Sequence, residues 1–360
     1  MNIIKFFDGW IKTEDVPTYH GWPTMIRTAD GELLVVCSGG RRSHICPYGR
    51  VFLYRSKDDG KTWNHPEHLS SGPLDDRDAG IIAAADGSLL VNYFTSVAFA
   101  ERDTYLSFET KKSAENWKHI EDNISLSDLI REHGFFMIRG SADGKTWSEK
   151  FITPVNNVHG PTLLSDGSLL WVGKELSPFY CKASRTGPNT VAARSVDNGE
   201  HWDIISKLPV PEGQDVSRFE EAYAIQAADG TIIAQVRNHN TGATGGEVFT
   251  WQCESCDGGL TWTELHPVTY GFPTHLLKLA DGRLLMTYSY RKEPFGIRGR
   301  FSRDNGKNWS EEVILSDDAE CTDFGYPSSV EMPDGSFITL WYESRNKLAQ
   351  LRYMRWESSL

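Results

Sequence analysis

Long apolar runs are absent from this 360-residue chain, and its first residues lack an apolar core of signal-peptide length. No stretch of about 18 consecutive apolar residues occurs, so the sequence predicts no transmembrane helix. Positive charge is also in short supply, since 37 Lys and Arg stand against 49 Asp and Glu and give a net charge of -12. This balance argues against a general nucleic-acid or anionic-membrane binder. We therefore predict a soluble, cytoplasmic protein without nucleic-acid or membrane partners.

Cysteine is scarce as well. Six cysteines in 360 residues are too few for a disulfide scaffold. Cys253 and Cys256 form a C-x-x-C without a second pair, so we assign them to strand and turn packing rather than to metal or redox chemistry. The sequence gives no indication of a metal or cofactor.

One turn motif recurs five times in the sequence. The stretch SKDDGKTW begins at Ser56, and related stretches that end in tryptophan begin at Ser141, Ser195, Ser255 and Ser302. A second motif, Asp-Gly between two β-rich runs, alternates with the first. Its aspartates stand at positions 30, 86, 166, 229, 281 and 334. Asp-Gly is favoured in two-residue hairpins in which both turn residues have positive φ, so we predict six such hairpins.

Together the two motifs define a repeated module of four antiparallel strands. Such a module, repeated six times with an aromatic residue at a fixed place, is typical of a β-propeller. We predict an all-β fold: a single six-bladed β-propeller domain over residues 1–360. The N-terminal segment around IIKFF is expected to supply the outer strand of the last blade and to close the ring.

The tryptophan turns resemble the Asp-box, or BNR, repeats of the sialidase (neuraminidase) superfamily, whose catalytic members are six-bladed propellers. The resemblance covers almost the whole chain. Asp boxes are structural turns that also occur in propellers without sialidase activity. We therefore assign none of the box aspartates to catalysis.

The geometry of the predicted blades selects one mouth of the propeller as the working face. Both turn motifs lie on the same mouth, so the opposite mouth collects the starts of the first and third strands and the ends of the second and fourth. Counting eight residues back from each hairpin aspartate gives Trp22, Asp78, Val158, Glu221, Pro273 and Tyr326. Eight residues past it come Ser38, Phe94, Lys174, Arg237, Ser289 and Tyr342. Convergence of carboxylates, a tyrosine and arginines in a channel predicts a site for an anionic substrate.

Two segments resemble the catalytic motifs of sialidases. By that resemblance FEEAYAIQAADGTIIAQVRN supplies Glu221 as a base and Arg237 as a ligand of the substrate carboxylate, and DFGYPSSVEMPDG supplies Tyr326 as the nucleophile. A neutral phenol activated by a glutamate avoids the repulsion between an anionic nucleophile and an acidic sugar. The segment between these two motifs contains Arg291 and Arg298, either of which is a candidate for a second arginine that binds the substrate carboxylate. We favour Arg298.

The first two blades depart from the sialidase pattern. Gly21 stands where sialidases have an arginine, and SGGRRSHICPYGR lacks the carboxylate that sialidases use as acid and base. Candidate replacements for the guanidinium are Arg41, Arg42 and Arg77. The leading candidate for the proton donor is Asp78, with Asp75, Asp76 and His44 as alternatives. His20 and His159 open two blades with similar sequences and are candidates for binding sugar hydroxyls, for carrying protons or for packing alone.

An insertion at about 95–140 lies in the second blade, on the predicted working face. Within it SLSDLIREHG predicts one short helix, with Ser125 as its cap and Gly134 as its stop. The resemblance implies an exo-acting glycosidase that removes a terminal acidic sugar from a glycan. Two alternatives remain open: a glycosidase or lyase that acts on uronic acid, Kdo or rhamnose ends through His and Asp, and a propeller that binds carbohydrate or protein without turnover.

Overall fold

Antiparallel β-sheets account for nearly all of the regular structure. The computed structural model describes residues 3–11, 19–97, 122–177, 186–239, 249–346 and 348–358. The described strands form five sheets in a propeller-like arrangement. The prediction of an all-β fold is confirmed.

One sheet contains both ends of the chain. Its strands are β1 (Ile3–Ile11), β2 (Tyr19–Arg27), β3 (Leu33–Arg41), β4 (Arg50–Ser56), β5 (Glu67–His68), β23 (Phe324–Glu331), β24 (Phe337–Arg345) and β25 (Leu348–Ser358). Strand β1 pairs with β25 along its length, so the N-terminal segment lies beside the C-terminal strand. The β2–β5 set is joined to β25 by a single parallel pair, Tyr19 with Ala349.

The other four sheets follow one another along the chain. The second sheet holds β6 (Asp75–Ala83), β7 (Leu89–Ser96), β8 (Phe135–Gly140) and β9 (Phe151–Ile152). The third holds β10 (Val155–Asn156), β11 (Thr162–Leu163), β12 (Leu169–Leu176), β13 (Thr186–Ser195) and β14 (Asp203–Lys207). The fourth holds β15 (Phe219–Gln226), β16 (Ile232–Asn238), β17 (Thr250–Ser255) and β18 (His266–Thr269), and the fifth holds β19 (Thr274–Lys278), β20 (Leu284–Tyr290), β21 (Gly296–Ser302) and β22 (Val313–Ile314).

All six Asp-Gly pairs lie in hairpins, but their turn geometry differs from the prediction. Only the glycine of each pair has positive φ, between 81° and 94°, and none of the six aspartates does. In five of the six, an aspartate side-chain oxygen accepts a hydrogen bond from the backbone N–H two residues later, as Asp86 does from Ser88 at 2.9 Å. The aspartate therefore acts through its side chain, and glycine alone supplies the left-handed residue.

The tryptophan turns are held by their own side chains. In the turn that begins at Ser302, its hydroxyl donates to Asp304 at 2.8 Å and accepts from the N–H of Gly306 at 2.8 Å. The same pattern recurs in the turns that begin at Ser56, Ser195 and Ser255. The box aspartates are thus occupied by turn hydrogen bonds, consistent with a structural role.

The core lies between successive sheets. Leu34 and Val36 of β3 pack against Ile81 and Val91 of the next sheet, and comparable clusters fill each later junction. A further cluster joins β2–β4 to β23–β25, so the packing returns to its start. The tryptophans of the turns are half-buried against these clusters; the ring of Trp63, for example, lies 5.7 Å from that of Tyr353.

A short helix, α1 (Leu126–Glu132), precedes β8. Ser125 caps its start and accepts a hydrogen bond from the N–H of Asp128 at 3.0 Å, as predicted. The helix ends at Glu132 with His133 as its cap, and Gly134, the predicted stop, follows directly; the N–H of Gly134 donates to Thr95 at 2.8 Å on the way into β8. Most of the predicted insertion, residues 98–121, lies outside the described residues. Among those that are described, no helix is long and apolar enough to cross a membrane.

Candidate active site

Four inner strands begin with the same irregularity. Trp22, Asp78, Glu221 and Tyr326 have φ values between 49° and 55°. At each of them the pairing with the next strand shifts, with one extra residue on the inner strand. These β-bulges turn the extra side chain out of the normal alternation. Left-handed backbone is costly for such residues and is typical of functional sites. These are four of the six positions found by counting back from the hairpin aspartates.

Three of these bulges open on a cavity of about 660 Å³. Asp78, Glu221 and Tyr326 line it from strand starts, and Phe94, Lys174, Arg237 and Tyr342 line it from strand ends. The cavity therefore lies at the strand ends that the sequence analysis selected as the working face. Cavities of this size hold small ligands.

Tyr326, Glu221 and Arg237 form one hydrogen-bonded unit in this cavity. The hydroxyl of Tyr326 donates to Oε1 of Glu221 at 2.5 Å. Arg237 donates from one nitrogen to both oxygens of Glu221, at 3.0 and 2.8 Å. The tyrosine and the glutamate belong to different sheets and are 105 residues apart in sequence. Only the tertiary fold brings them together.

The electrostatics of this unit assign its protons. Burial opposes ionisation of Glu221, but the charge of Arg237 and the hydrogen bonds from Arg237 and Tyr326 outweigh it and lower the pKa of Glu221. Burial and the neighbouring Glu221 carboxylate raise the pKa of Tyr326 well above its usual value. The resting pair is therefore a neutral phenol that donates to a carboxylate.

Asp78 occupies the equivalent bulge in the second sheet and faces a different environment. Burial, aided by the charge of Glu221 and opposed by that of Arg77, raises the pKa of Asp78 to about 7. Its Oδ1 is buried and has no hydrogen-bond partner among the residues that the structure describes. A buried carboxyl that is protonated near neutral pH is suited to donate a proton.

Among the described residues, three arginines line the cavity: Arg77, Arg237 and Arg291. Each has a buried Nε that finds no hydrogen-bond partner in the described part of the chain. The guanidinium groups of Arg237 and Arg291 lie 4.2 and 5.1 Å from the centre of the Phe272 ring, which places the two cations on one wall. Arg77 lies 4.2 Å from the ring centre of Trp22. Buried, unpaired donors on three cations favour an anionic ligand.

Two predicted substrate arginines lie elsewhere. Arg298, which the sequence favours over Arg291, is buried outside the cavity and donates to the carbonyl oxygens of Pro294 at 2.9 Å and of Ser316. Arg41 is fully buried against Asp75, to which two of its nitrogens donate. Both guanidinium groups are held by protein acceptors, so the predicted substrate role is wrong for both.

Three further candidates from the first two sheets, Arg42, Asp75 and Asp76, also lie outside the cavity lining. Arg42 lies over the ring of Tyr48, at 5.5 Å from its centre. Asp75 is occupied by Arg41, and the buried Asp76 accepts a hydrogen bond from Ser70 at 2.5 Å.

His20 and His159 are both buried away from the cavity. His20 contacts Tyr54 through Nδ1 at 3.2 Å and packs on Phe52, and burial lowers its pKa to about 4. His159 contacts Thr24 at 3.2 Å and packs on His275, and burial lowers its pKa well below the usual value. Of the open readings, packing is the one that the structure favours for both.

Several cavity residues were missed or ranked low from the sequence. His44, only a secondary candidate, lines the cavity, and its partner Asp323 was not singled out. Other lining residues that the sequence reasoning passed over are Asn156, Asn157, Glu220 and His239. Asp323 and Glu220 lie within the quoted motifs of Tyr326 and Glu221, so closeness to a predicted strand start was a usable signal.

The comparisons with known proteins agree with this architecture. The family model that describes BNR repeat-like domains matches residues 99–339. A sialidase of Bacteroides fragilis is 24% identical over 356 residues, which cover 89% of this chain and 59% of the relative. The chain thus spans less than two thirds of the length of that relative.

Two solved structures show the same fold. A protein of unknown function from Dyadobacter fermentans superposes with a TM-score of 0.77 and 22% identity, covering 99% of each chain. A sialidase from Streptococcus pneumoniae superposes with a TM-score of 0.63 and 14% identity, covering 99% of this chain and 70% of the other. At these identities the likeness extends to the fold alone.

Proposed function

This chain belongs to the BNR repeat-like family, and on that premise we propose that it is a sialidase-like glycoside hydrolase that removes a terminal acidic sugar from a glycan. The observation that carries the proposal is the unit of Tyr326, Glu221 and Arg237 in the cavity. Distant sialidase relatives support the same reaction class.

We further infer that the propeller has six blades. The inference treats the eight-stranded sheet as two blades, β2–β5 and β23–β25 with β1. Support comes from the single residue pair that joins the two strand sets, compared with the full-length pairing of β1 with β25. The hydrophobic cluster between the two sets supports it too, because it resembles the clusters between the other sheets.

In the first step Glu221 takes the proton of Tyr326 as the phenol oxygen attacks the anomeric carbon. The 2.5 Å hydrogen bond already points the proton at its acceptor. Because the phenol is neutral until it attacks, the carboxylate of the sugar does not repel it. Asp78 gives its proton to the departing glycosidic oxygen.

The three cavity arginines bind the carboxylate of the sugar. Arg237 and Arg291 share one wall, and their Nε groups are donors that no atom of the described residues accepts from. A planar guanidinium matches a carboxylate in two parallel hydrogen bonds. In this proposal Arg77 replaces the arginine that sialidases have at the position of Gly21.

The proposal is tested with purified protein and the 4-nitrophenyl glycosides of N-acetylneuraminic acid, Kdo, glucuronic acid and rhamnose. We expect release of 4-nitrophenol from an acidic sugar. Tyr326→Phe and Glu221→Ala should each lose at least about a hundredfold in kcat, because nucleophile and base assistance are removed.

The matched control is Tyr288→Phe. Tyr288 is a buried tyrosine that also donates to a glutamate, Glu312 at 2.6 Å, outside the cavity lining. We expect its kcat to equal that of the wild type. If Tyr326→Phe cleaves the glycoside at the wild-type rate, the tyrosine mechanism is contradicted. If the wild type binds glycans but cleaves none of the substrates, the protein is a binding propeller instead.

A further inference from the structure

The left-handed backbone at Tyr326 is bound by a serine of the neighbouring sheet. Ser289 lies on β20, is fully buried, and its Oγ accepts a hydrogen bond from the backbone N–H of Tyr326 at 3.2 Å. Gly325 and Ser328 have partners on β24 in the described sheet, and the two residues between them do not, because the register shifts there. The hydroxyl of Ser289 therefore replaces the strand partner that the bulge removes.

The backbone before Tyr326 is held against the same strand. Gly325 has a φ of 128°, and a Cβ at this position would overlap Oγ of Ser289. Arg291, which directly follows β20, donates to the carbonyl oxygen of Phe324 at 2.9 Å. Residues 324–326 are thus fixed by β20 and its end at three successive points. Since backbone dihedrals determine where a side chain is directed, these contacts fix the direction of the Tyr326 phenol.

A second bulge of the cavity is bound in the same way. Ser38 and Ser289 both stand eight residues after a hairpin aspartate, and both are fully buried. Oγ of Ser38 donates to the carbonyl oxygen of Asp76 at 2.5 Å, two residues before the bulge at Asp78. The bulges of the proposed nucleophile and of the proposed proton donor are therefore each bound by a serine from the strands that precede them in the chain.

We propose that Ser289 is a positioning residue for the reaction: by holding the N–H of Tyr326 in the bulge, it directs the phenol at Glu221. The proposal rests on the proposed function, because it takes Tyr326 as the nucleophile. Ser289 lies outside the cavity lining, so it acts through Tyr326 and not on the substrate. The 2.5 Å hydrogen bond between Tyr326 and Glu221 is at the short limit for two oxygens, so a small displacement of the phenol weakens it.

The kinetic test is Ser289→Ala, assayed on the 4-nitrophenyl glycoside that the wild type cleaves. We expect kcat to fall about ten- to a hundredfold, because the nucleophile is misplaced. Glu221 takes the proton of Tyr326 when the sugar is bound to it and returns that proton when the sugar leaves, so kcat falls whichever step is slower. KM should be unchanged, because the variant keeps the cavity arginines.

The matched control is Ser316→Ala. Ser316 is a buried serine outside the cavity lining, and its Oγ also accepts from a backbone N–H, that of Ile297 at 3.0 Å. We expect a similar loss of thermal stability in the two variants, and wild-type kcat in Ser316→Ala alone. If Ser289→Ala keeps the wild-type kcat, or changes only KM, Ser289 has a merely structural role and the proposal is overturned.

A second readout needs no substrate and separates this proposal from the proposed function. The ¹³C chemical shift of Cζ in Tyr326 reports the hydrogen bond that its hydroxyl donates, and Tyr326→Phe identifies the signal in labelled protein. In Ser289→Ala we expect the signal to move toward its position in Glu221→Ala, and in Ser316→Ala to stay at the wild-type position. This movement supports the positioning role even if no glycoside is cleaved. An unmoved signal in Ser289→Ala would overturn it even in a protein that cleaves glycosides through Tyr326.

The wild-type protein provides a further test that does not depend on the folding of a variant. Selective ¹⁵N labelling of tyrosine, with Tyr326→Phe for assignment, makes the backbone N–H of Tyr326 visible. Because this N–H is bound to Ser289, we expect it to exchange with solvent deuterium as slowly as the paired N–H groups of β23. Rapid exchange in the folded protein would show that Ser289 does not hold the bulge, and the proposal would fail.

Discussion

The carboxyl of Asp78 couples the proposed chemistry to pH. Its backbone is left-handed, its buried Oδ1 has no partner within the described ranges, and burial raises its pKa to about 7. The protonated form gives its proton to the leaving group, and this form predominates below pH 7. Proton donation is therefore present at acid pH and is lost as the pH rises through about 7.

We predict that kcat/KM falls about tenfold per pH unit above this pKa. Asp78→Asn should remove the alkaline limb, and asparagine tolerates the left-handed backbone of this position. Its loss of rate should be larger for a phenyl than for a 4-nitrophenyl glycoside, since the poorer leaving group depends more on the proton. Equal losses for the two glycosides would contradict Asp78 as the donor.

Individual residues show where sequence reasoning succeeds and where it stops. Asp78, Glu221 and Tyr326 were predictable because each stands a fixed number of residues before a hairpin that sets the strand register. The arginines were harder, because a long flexible side chain can reach either a cavity or nearby carbonyl oxygens from the same position. Arg298 and Arg41 bind protein acceptors instead, and spacing in the sequence carries no information about that choice.

At the scale of the element, the repeated turns are structural and lie away from the chemistry. The aspartate of the turn that begins at Ser302, Asp304, accepts from Ser302 at 2.8 Å and from the N–H of Asn308 at 2.9 Å. Position by position, the sequence predicted where these turns occur. The Asp-Gly hairpins were located equally well, but their turn geometry was not, because the side-chain hydrogen bond of the aspartate competes with the backbone preference of the pair.

We predict that Asp304→Ala lowers the free energy of unfolding by about 1–2 kcal/mol, because the turn N–H groups lose their acceptor. Its kcat on the cleaved glycoside should equal that of the wild type. Denaturant unfolding and steady-state kinetics check both, with Glu320→Ala as an exposed carboxylate control. If Asp304→Ala is fully folded but its kcat is much lower than that of the wild type, the turns take part in the chemistry.

At the scale of the whole molecule, the site exists because the repeat brings distant segments to one cavity. Glu221 and Tyr326 come from the fourth sheet and from the sheet that holds both ends of the chain. Counting repeats predicted the propeller and the mouth that carries the cavity. The pairing of His44 with Asp323 was beyond that reasoning, since it joins a loop to a strand start 279 residues later. Such contacts depend on the packing of neighbouring sheets, which a count of repeats does not fix.

The most direct measurement of the central claim is the mass of the peptide that contains Tyr326 after acid quench of a reaction with the cleaved 4-nitrophenyl glycoside. The wild-type protein is quenched during its first turnovers, while the glycosylated form of the enzyme is present. The account predicts an added glycosyl group on Tyr326, absent from Tyr326→Phe protein. Turnover with no glycosyl group on that peptide, or with the group on another residue, would contradict it.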